Sequence, residues 1–485
     1  MTPFSTVLEF LMKEKNIKTY AIAQYCGIDR SNMYKILKGK RNPASEEVVN
    51  RMAEYMQLTP AEQKHLLESY QITVVGAAIY YRRKSVENFL TSFSLEECNM
   101  RESSLEQEYM TIAVDEQIFQ GGGGTLVRGR QLKYLISGVL NAETQKEDGK
   151  ISLIMQPDND YVMDILFLAG VKKDYLKMEH IFCLSNTNEI ASEKIDYNLE
   201  CLRKILPMFV QCKCSYKPYC YYDNIVSRNS IFNLLSSLII TSHYAVAFSS
   251  EENYGLLLTG ENTIQYLQTL FENLKQDTIL MACKMDTLER QMERFASVNI
   301  NSGGIGFQAD ACLVPLMPPE FLGHFLKEEL LSQPVIRERT EEYLMFSGEM
   351  MAKTNSTFLF SQAGIERFLR DGCLSELPES IYYPLDYKAR LVLIRKLMKE
   401  CESGKYQMLR EEIPVAETDI CLFSSPTDGY LLVPTTRGDR IFLEIRESGL
   451  LNAFLDYFKS LDDKSIYSKE ETVAILKRIL KRNKG

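Results

Sequence analysis

Thr19-Tyr20-Ala21-Ile22-Ala23-Gln24-Tyr25-Cys26-Gly27-Ile28-Asp29-Arg30-Ser31-Asn32-Met33-Tyr34-Lys35-Ile36-Leu37-Lys38-Gly39, continued by Lys40, Arg41, Asn42 and Pro43, decides how the chain begins. It reads as two short helices joined by a tight turn, with Gly27 where the backbone needs positive φ. Asp29 is the expected N-cap of the second helix, and Met33, Ile36 and Leu37 recur at helical spacing, so they share a buried face. Arg30, Ser31, Tyr34, Lys35 and Lys38 are left on the opposite face. A helix that hides one side and offers Arg, Ser, Tyr and Lys on the other suits the major groove of a duplex.

The stretch resembles the helix-turn-helix of the Cro/C1-type (XRE) repressors. Their pattern is a helix of small residues, a Gly, a polar cap, a recognition helix, and then Gly with basic residues and Pro. The resemblance spans roughly residues 4 to 70. Leu37 departs from it, since many members carry Glu there, a change expected to alter a local surface contact only. The resemblance implies that Arg30, Ser31, Tyr34 and Lys35 meet base edges, and that Thr19, Lys38, Lys40 and Arg41 meet phosphates. The plainer reading of the last three is an exposed basic loop kept for solubility.

The flanks fit a five-helix domain. Phe4, Val7, Leu8 and Leu11 repeat at helical spacing and predict a first helix to about Lys15. Thr19 is read as the cap of the second helix. Ser45 caps a fourth, with Glu46 and Glu47 at its positive end, and Thr59-Pro60-Ala61-Glu62 forms a capping box that opens a fifth. Residues 72 to 104 read as a linker or connector helix.

Charge separates this head from the rest. The formal net charge is −9 over 485 residues. Residues 1–90 carry 13 Lys/Arg against 9 Asp/Glu, or +4, which leaves 43 against 56, or −13, for the remainder. Only the head suits a phosphate backbone. No apolar run reaches the 18 or so residues of a membrane span, and the start lacks the layout of a signal peptide, so a cytoplasmic protein without a membrane partner is expected. Twelve cysteines scattered through apolar stretches fit reduced thiols rather than a disulfide framework.

Beyond residue 105 short apolar strands alternate with helices, the pattern of an α/β sheet with crossover helices. Strands are expected at 109–114, 151–155, 180–184, 244–248 and 254–258, and helices at 131–144, 161–169, 193–210 and 263–274. Ala247–Leu258 echoes Leu422–Val433, and the helix and strand at 132–141 and 149–153 echo 391–400 and 404–408. Duplication is one reading of this echo and chance likeness the other. The expected organisation is multidomain: an all-α helix-turn-helix domain (1–71), the connector (72–104), and a large α/β region, read as duplicated lobes 105–295 and 296–485.

Other motifs carry less. Gln120-Gly121-Gly122-Gly123-Gly124-Thr125 lacks the ending of a nucleotide P-loop and reads as a turn, with a ligand loop as the alternative because Arg128 and Arg130 follow. Cys201, Cys212, Cys214 and Cys220 do not have the spacing of a zinc site and read as buried thiols. His65, His180, His243 and His324 sit in no catalytic pattern, and His180 and His243 fall in apolar runs where core histidines are expected. No catalytic residue, cofactor or metal is assigned. The sequence thus points to a transcriptional regulator: a homodimer on a double-stranded operator, whose α/β region senses a small-molecule or peptide effector. The alternatives are an enzyme, or an interaction scaffold, that uses the head for targeting or autoregulation.

Overall fold

The structure is a computed structural model that describes residues 1–92, 124–186, 196–223, 235–249, 253–285, 303–321, 325–332, 334–377, 382–435 and 440–482, with Thr287, Arg290, Gln291 and Arg294. The expected strand at 109–114, the glycine run at 121–123 and His324 lie outside these residues. The chain divides into two compact units, Met1–Ser85 with Thr187–Asp196, and Val86–Asn186 with Tyr197–Gly485.

In the smaller unit, capping sets the helix starts. A reciprocal Thr2/Ser5 box opens α1 (Pro3–Glu14), and Asp29 opens α3 (Arg30–Leu37) by accepting from the backbone N–H groups of Ser31 at 2.7 Å and Asn32 at 3.2 Å. Such a cap is worth about 1 kcal/mol. Between them lies α2 (Thr19–Tyr25), and Gly27 makes the turn at φ +69°. The expected cap at Thr19 is displaced by one residue: extended Lys18 holds the cap position, gives no side-chain cap bond, and leaves Thr19 as the first helical residue. Ser45 precedes α4 (Glu46–Tyr55), again without a side-chain cap bond. The Thr59/Glu62 box opens α5 (Pro60–Val75), with the Thr59 N–H donating to Glu62 Oε2 at 2.7 Å. Phe4, Leu8, Ile22, Met33, Ile36, Val49, Met52 and Leu66 form one core. Leu37 belongs to that core at 8% exposed. It is therefore a packing residue, and the surface contact expected of it is corrected.

Helix α5 runs through the expected 71/72 boundary to Val75, and Gly76, at φ +91°, separates it from α6 (Ala77–Ser92). The far half of α6 is part of the larger unit. Val86, Phe89 and Leu90 are buried in its core, Phe89 lies 5.8 Å from the Phe454 ring, and Thr418 Oγ1 donates to the Leu90 carbonyl.

The larger unit builds one seven-strand order twice, with an eighth strand added at the edge of the first sheet. The first comprises β1 (Gly124–Arg128), β2 (Lys150–Ile154), β3 (Lys177–Ser185), β4 (Ser215–Asp223), β5 (Ser237–Ile240), β6 (Tyr244–Phe248), β7 (Tyr254–Thr259) and β8 (Ile279–Leu280), in the order β1-β7-β6-β5-β2-β3-β4-β8. The second comprises β9 (Ala282–Met285), β10 (Ile305–Phe307), β11 (Thr357–Ser361), β12 (Tyr406–Leu409), β13 (Cys421–Ser424), β14 (Gly429–Pro434) and β15 (Arg440–Ile445), in the order β12-β11-β10-β13-β14-β15-β9. In each, three successive strands run parallel, β2-β3-β4 and β10-β11-β12. A three-strand antiparallel meander returns on the other side of the first of them, and the strand that opens the repeat closes the far edge.

This repeat corrects the register of the sequence echo. Through the pairings Ile154↔Leu238↔Ala247 and Gly306↔Phe423↔Tyr430, β6 corresponds to β14, whereas the echo placed Ala247 over Leu422 in β13. Consecutive antiparallel strands share one period-2 pattern, so a comparison of residues alone slides by a strand without penalty. Both repeats have Gln-x-Asp just past their first parallel strand, at Gln156-Pro157-Asp158 and Gln308-Ala309-Asp310.

In the first repeat α7 (Arg130–Thr144) follows β1, α8 (Asp160–Lys172) and α9 (Tyr197–Val210) are the crossovers between parallel strands, and α10 (Glu261–Gln276) follows the meander. In the second, α11 (Glu328–Leu331) and α12 (Pro334–Lys353) lie between β10 and β11, and α13 (Gln362–Asp371) and α14 (Tyr387–Ser403) between β11 and β12. Helices α15 (Ser448–Lys459) and α16 (Lys469–Arg482) end the chain. One hydrophobic core draws on both sheets, from Leu153 and Phe182 to Leu422 and Leu443. The chain passes from one sheet to the other at Met281, ahead of the expected 295/296 boundary. Across the second sheet the rings of Tyr406, Phe358, Phe423, Tyr430 and Phe442 stack in a row, with centroids 4.8–6.4 Å apart. Gly306 lies under this row, where an added Cβ would stand 2.6 Å from the Phe358 ring.

Candidate nucleic-acid interface

Helix α3 turns Met33, Ile36 and Leu37 inward and leaves Arg30, Ser31, Tyr34 and Lys35 exposed, Tyr34 at 60%. Positions 30, 31, 34, 35 and 38 are one turn apart, so they form one face. Arg30 and Lys35 make no ion pair among the described residues. A guanidinium, an ammonium, a phenol and a hydroxyl on one exposed helical face can donate to guanine and adenine edges in a major groove.

The residues expected at phosphates gather at the two ends of the motif. Lys38 is the C-cap of α3, its ammonium 3.4 Å from Glu9 Oε1 and 6.0 Å from the Tyr34 ring centroid. Gly39, at φ +65°, turns the chain, and Lys40 and Arg41 follow in the exposed loop. The Arg41 guanidinium donates to Asn32 Oδ1 at 2.8 Å, while Asn32 Nδ2 donates to Asp29 Oδ2. A chain of side chains therefore links the cap of α3 to the basic loop behind it. Half-buried Thr19 stands in the first turn of α2.

Behind this face the domain is braced. Lys15 pairs with Glu62 at 2.9 Å, and the Thr59 N–H, then Lys15, hold the Glu62 carboxyl below the usual range. The Phe4 N–H donates to Thr73 Oγ1 at 2.9 Å, and the Phe4 ring meets Tyr70 edge-on at 5.7 Å. Cys26 is buried within the motif, and burial pushes its thiol up.

The other residues singled out in the sequence are dispersed. His180 is fully buried, its Nδ1 2.9 Å from the Tyr216 hydroxyl and its Nε2 2.9 Å from the Met155 carbonyl, and burial pushes its pKa down to about 4. His243 is corrected: it lies exposed in the turn between β5 and β6, where Thr241 closes the turn on Tyr244, and not in a strand. His65 lies on α5. Cys201 lies on α9 and Cys220 on β4, while Cys212 and Cys214 lie in the loop between those elements, against Gly170 of α8. Arg128 ends β1 and Arg130 begins α7. Among the described residues no group of three or more His, Cys, Asp or Glu could hold a metal ion, and no helix is long and apolar enough to cross a membrane.

Residues 7–62 match the family model of the Cro/C1-type HTH DNA-binding domain. The N-terminal helical region is thus a DNA-binding helix-turn-helix of that type, followed by a large α/β region with two mixed sheets. No curated protein matches the chain. Among solved structures, a polyphosphate kinase from Porphyromonas gingivalis is similar at 11% identity and a TM-score of 0.23, over 79% of this chain and 58% of that one. The archaeal chromatin protein TrmBL2 is similar at 9% identity and a TM-score of 0.18, over 52% of this chain and 84% of that one. Scores this low carry no argument about fold or activity.

Proposed function

We propose that this protein is a sequence-specific transcriptional regulator of the cytoplasm, in which a helix-turn-helix head reads an operator and the α/β unit senses a small molecule or peptide and holds a homodimer. The exposed polar face of α3, with Arg30, Ser31, Tyr34 and Lys35 on one side and the core on the other, carries this reading. In it, those four residues touch base edges, and Thr19, Lys38, Lys40 and Arg41 touch phosphates. One small head makes too few contacts for operator-level affinity, whereas two-fold pairing doubles them and matches a palindromic site. The larger unit acts here as a sensor rather than an enzyme, and its free thiols suit a reducing compartment.

Selection of bound fragments from random duplex DNA, run at two salt concentrations, tests the reading. A palindromic consensus whose affinity falls steeply with salt supports it. Recovery of random sequence at both concentrations would count against it.

A further inference from the structure

At the carboxyl end of β10 the second sheet opens a cavity of about 260 Å3. Strand β10 is flanked by parallel β11 on one side and antiparallel β13 on the other, so the strand order breaks at β10, where the parallel run meets the meander. Such a break is where open α/β sheets make ligand crevices. The walls come from distant places in the chain, among them Asp310 after β10, Arg367 and Asp371 on α13, Asp419 before β13, and Arg440 at the start of β15.

The Asp310 carboxylate in this wall is incompletely satisfied. Asp310 is 3% exposed; its Oδ2 accepts the Ser375 N–H at 3.1 Å, but buried Oδ1 has no hydrogen-bond partner among the described residues. Glu376, 9% exposed and near Asp310 but not part of the cavity wall, accepts the Val314 N–H through Oε1 at 3.3 Å. Burial, and then the charge of Asp310, push the Glu376 carboxyl up to about 7. Asp371 and Asp419 are paired with Arg370 and Arg367, whereas Asp310 has no ion pair among the described residues. A buried carboxylate oxygen without a donor is costly. Arg440 donates to the Asp419 carbonyl, Cys421 Sγ and Oγ of Ser375, the residue whose N–H Asp310 accepts. Five guanidinium donors less these three bonds leave two N–H groups without a partner among the described residues.

We propose that this cavity binds a small zwitterion of the α-amino-acid class, its ammonium on Asp310 and its carboxylate on Arg440. An ammonium brings three donors to an acceptor that has none, and a carboxylate accepts from a guanidinium with N–H groups to spare. The volume lies below the roughly 300–1,000 Å3 of sites for drug-sized ligands, which favours a molecule of amino-acid size. The site supplies the sensing reading with a ligand class and rests on that reading only for its consequence at the operator.

Titration calorimetry of the full-length protein with each common free L-α-amino acid tests the site. Ethanolamine, acetate, and magnesium and calcium ions are titrated separately. At least one amino acid should bind and raise the melting temperature, while ethanolamine and acetate bind more weakly. Asp310→Asn keeps an acceptor for the Ser375 N–H but loses the charge, and should weaken binding about tenfold or more, the cost of one charge-assisted hydrogen bond. Arg440→Met should do the same, and circular dichroism melts show whether each variant is folded. If an unfolded variant spoils one arm, Arg367→Ala at the more exposed wall replaces it and should weaken binding less than Asp310→Asn. No binding by any amino acid, equal binding by Asp310→Asn, or binding of a metal ion alone overturns the proposal. Amino-acid binding that leaves operator affinity unchanged upholds the site and overturns the sensing reading.

Discussion

Replacing Lys40 by alanine isolates one phosphate contact. Lys40 is exposed and makes no ion pair among the described residues, whereas Lys38 lies 3.4 Å from Glu9 and Arg41 is held by Asn32 at 2.8 Å. Loss of Lys38 or Arg41 therefore disturbs contacts within the head, and loss of Lys40 does not. Each neutralised phosphate contributes about 0.9 to the slope of log K against log salt, so two heads on a two-fold site should lose about 1.8. Between about 50 and about 200 mM salt the logarithm of concentration changes by about 0.6, so the penalty of Lys40→Ala should shrink roughly tenfold across that range. Fluorescence anisotropy with a labelled operator, titrated along the salt series, measures the slope. An unchanged slope in a folded variant would refute the phosphate assignment, and a drop of about 0.9 would keep it while contradicting the dimer.

Further outcomes follow from single side chains. Gly27 and Gly39 both have positive φ, but an added Cβ is clear of neighbours at Gly27 and stands 2.8 Å from the Thr2 backbone nitrogen at Gly39. Thermal melts should therefore show a loss of about 1–2 kcal/mol for Gly27→Ala and a larger one, about 2–4 kcal/mol, for Gly39→Ala; equal losses would refute the close approach. Glu143 is 1% exposed and accepts from the Lys150 N–H and the Lys146 ammonium, both at 2.9 Å, and from Ser242. Burial alone would raise its pKa, but these donors win and lower it, so its contribution is present above the unfolded value of about 4.3 and is lost as pH falls through the folded value. Glu143→Gln should cost about 1.5–3 kcal/mol near neutrality, and less in acid, by denaturant unfolding at several pH values. A difference that does not change with pH would refute the ionised cage.

What the sequence made legible was local. The Gly27 turn, the Asp29 cap and the Thr59/Glu62 box each rest on contacts within a few residues, and each is where its residue types put it. Boundaries failed by small steps, as at Lys18, because the first helical residue and its cap look alike when neither offers a side-chain bond. In the α/β unit, period and propensity located β2, β3, β6 and β7 among the described strands, but pairing between distant strands is invisible to both. Strand β10 has three residues, one of them a glycine pressed under Phe358, and shows no strand signature of its own. The Asp310 cavity was missed for the same reason: its walls come together only when residues 310, 367, 419 and 440 meet at one sheet end. The recurring Gln-x-Asp after β2 and β10 is the signal that could have pointed there.

The central claim is that the exposed face of α3 reads base sequence. Footprinting of the selected operator with Arg30→Ala/Lys35→Ala tests it most directly, because both side chains are exposed and lack ion pairs among the described residues, so the fold should survive their loss. The account predicts that the double variant melts like the parent and loses the footprint, leaving only weak, salt-sensitive binding to any duplex. Protection of the same operator by the folded double variant would contradict it.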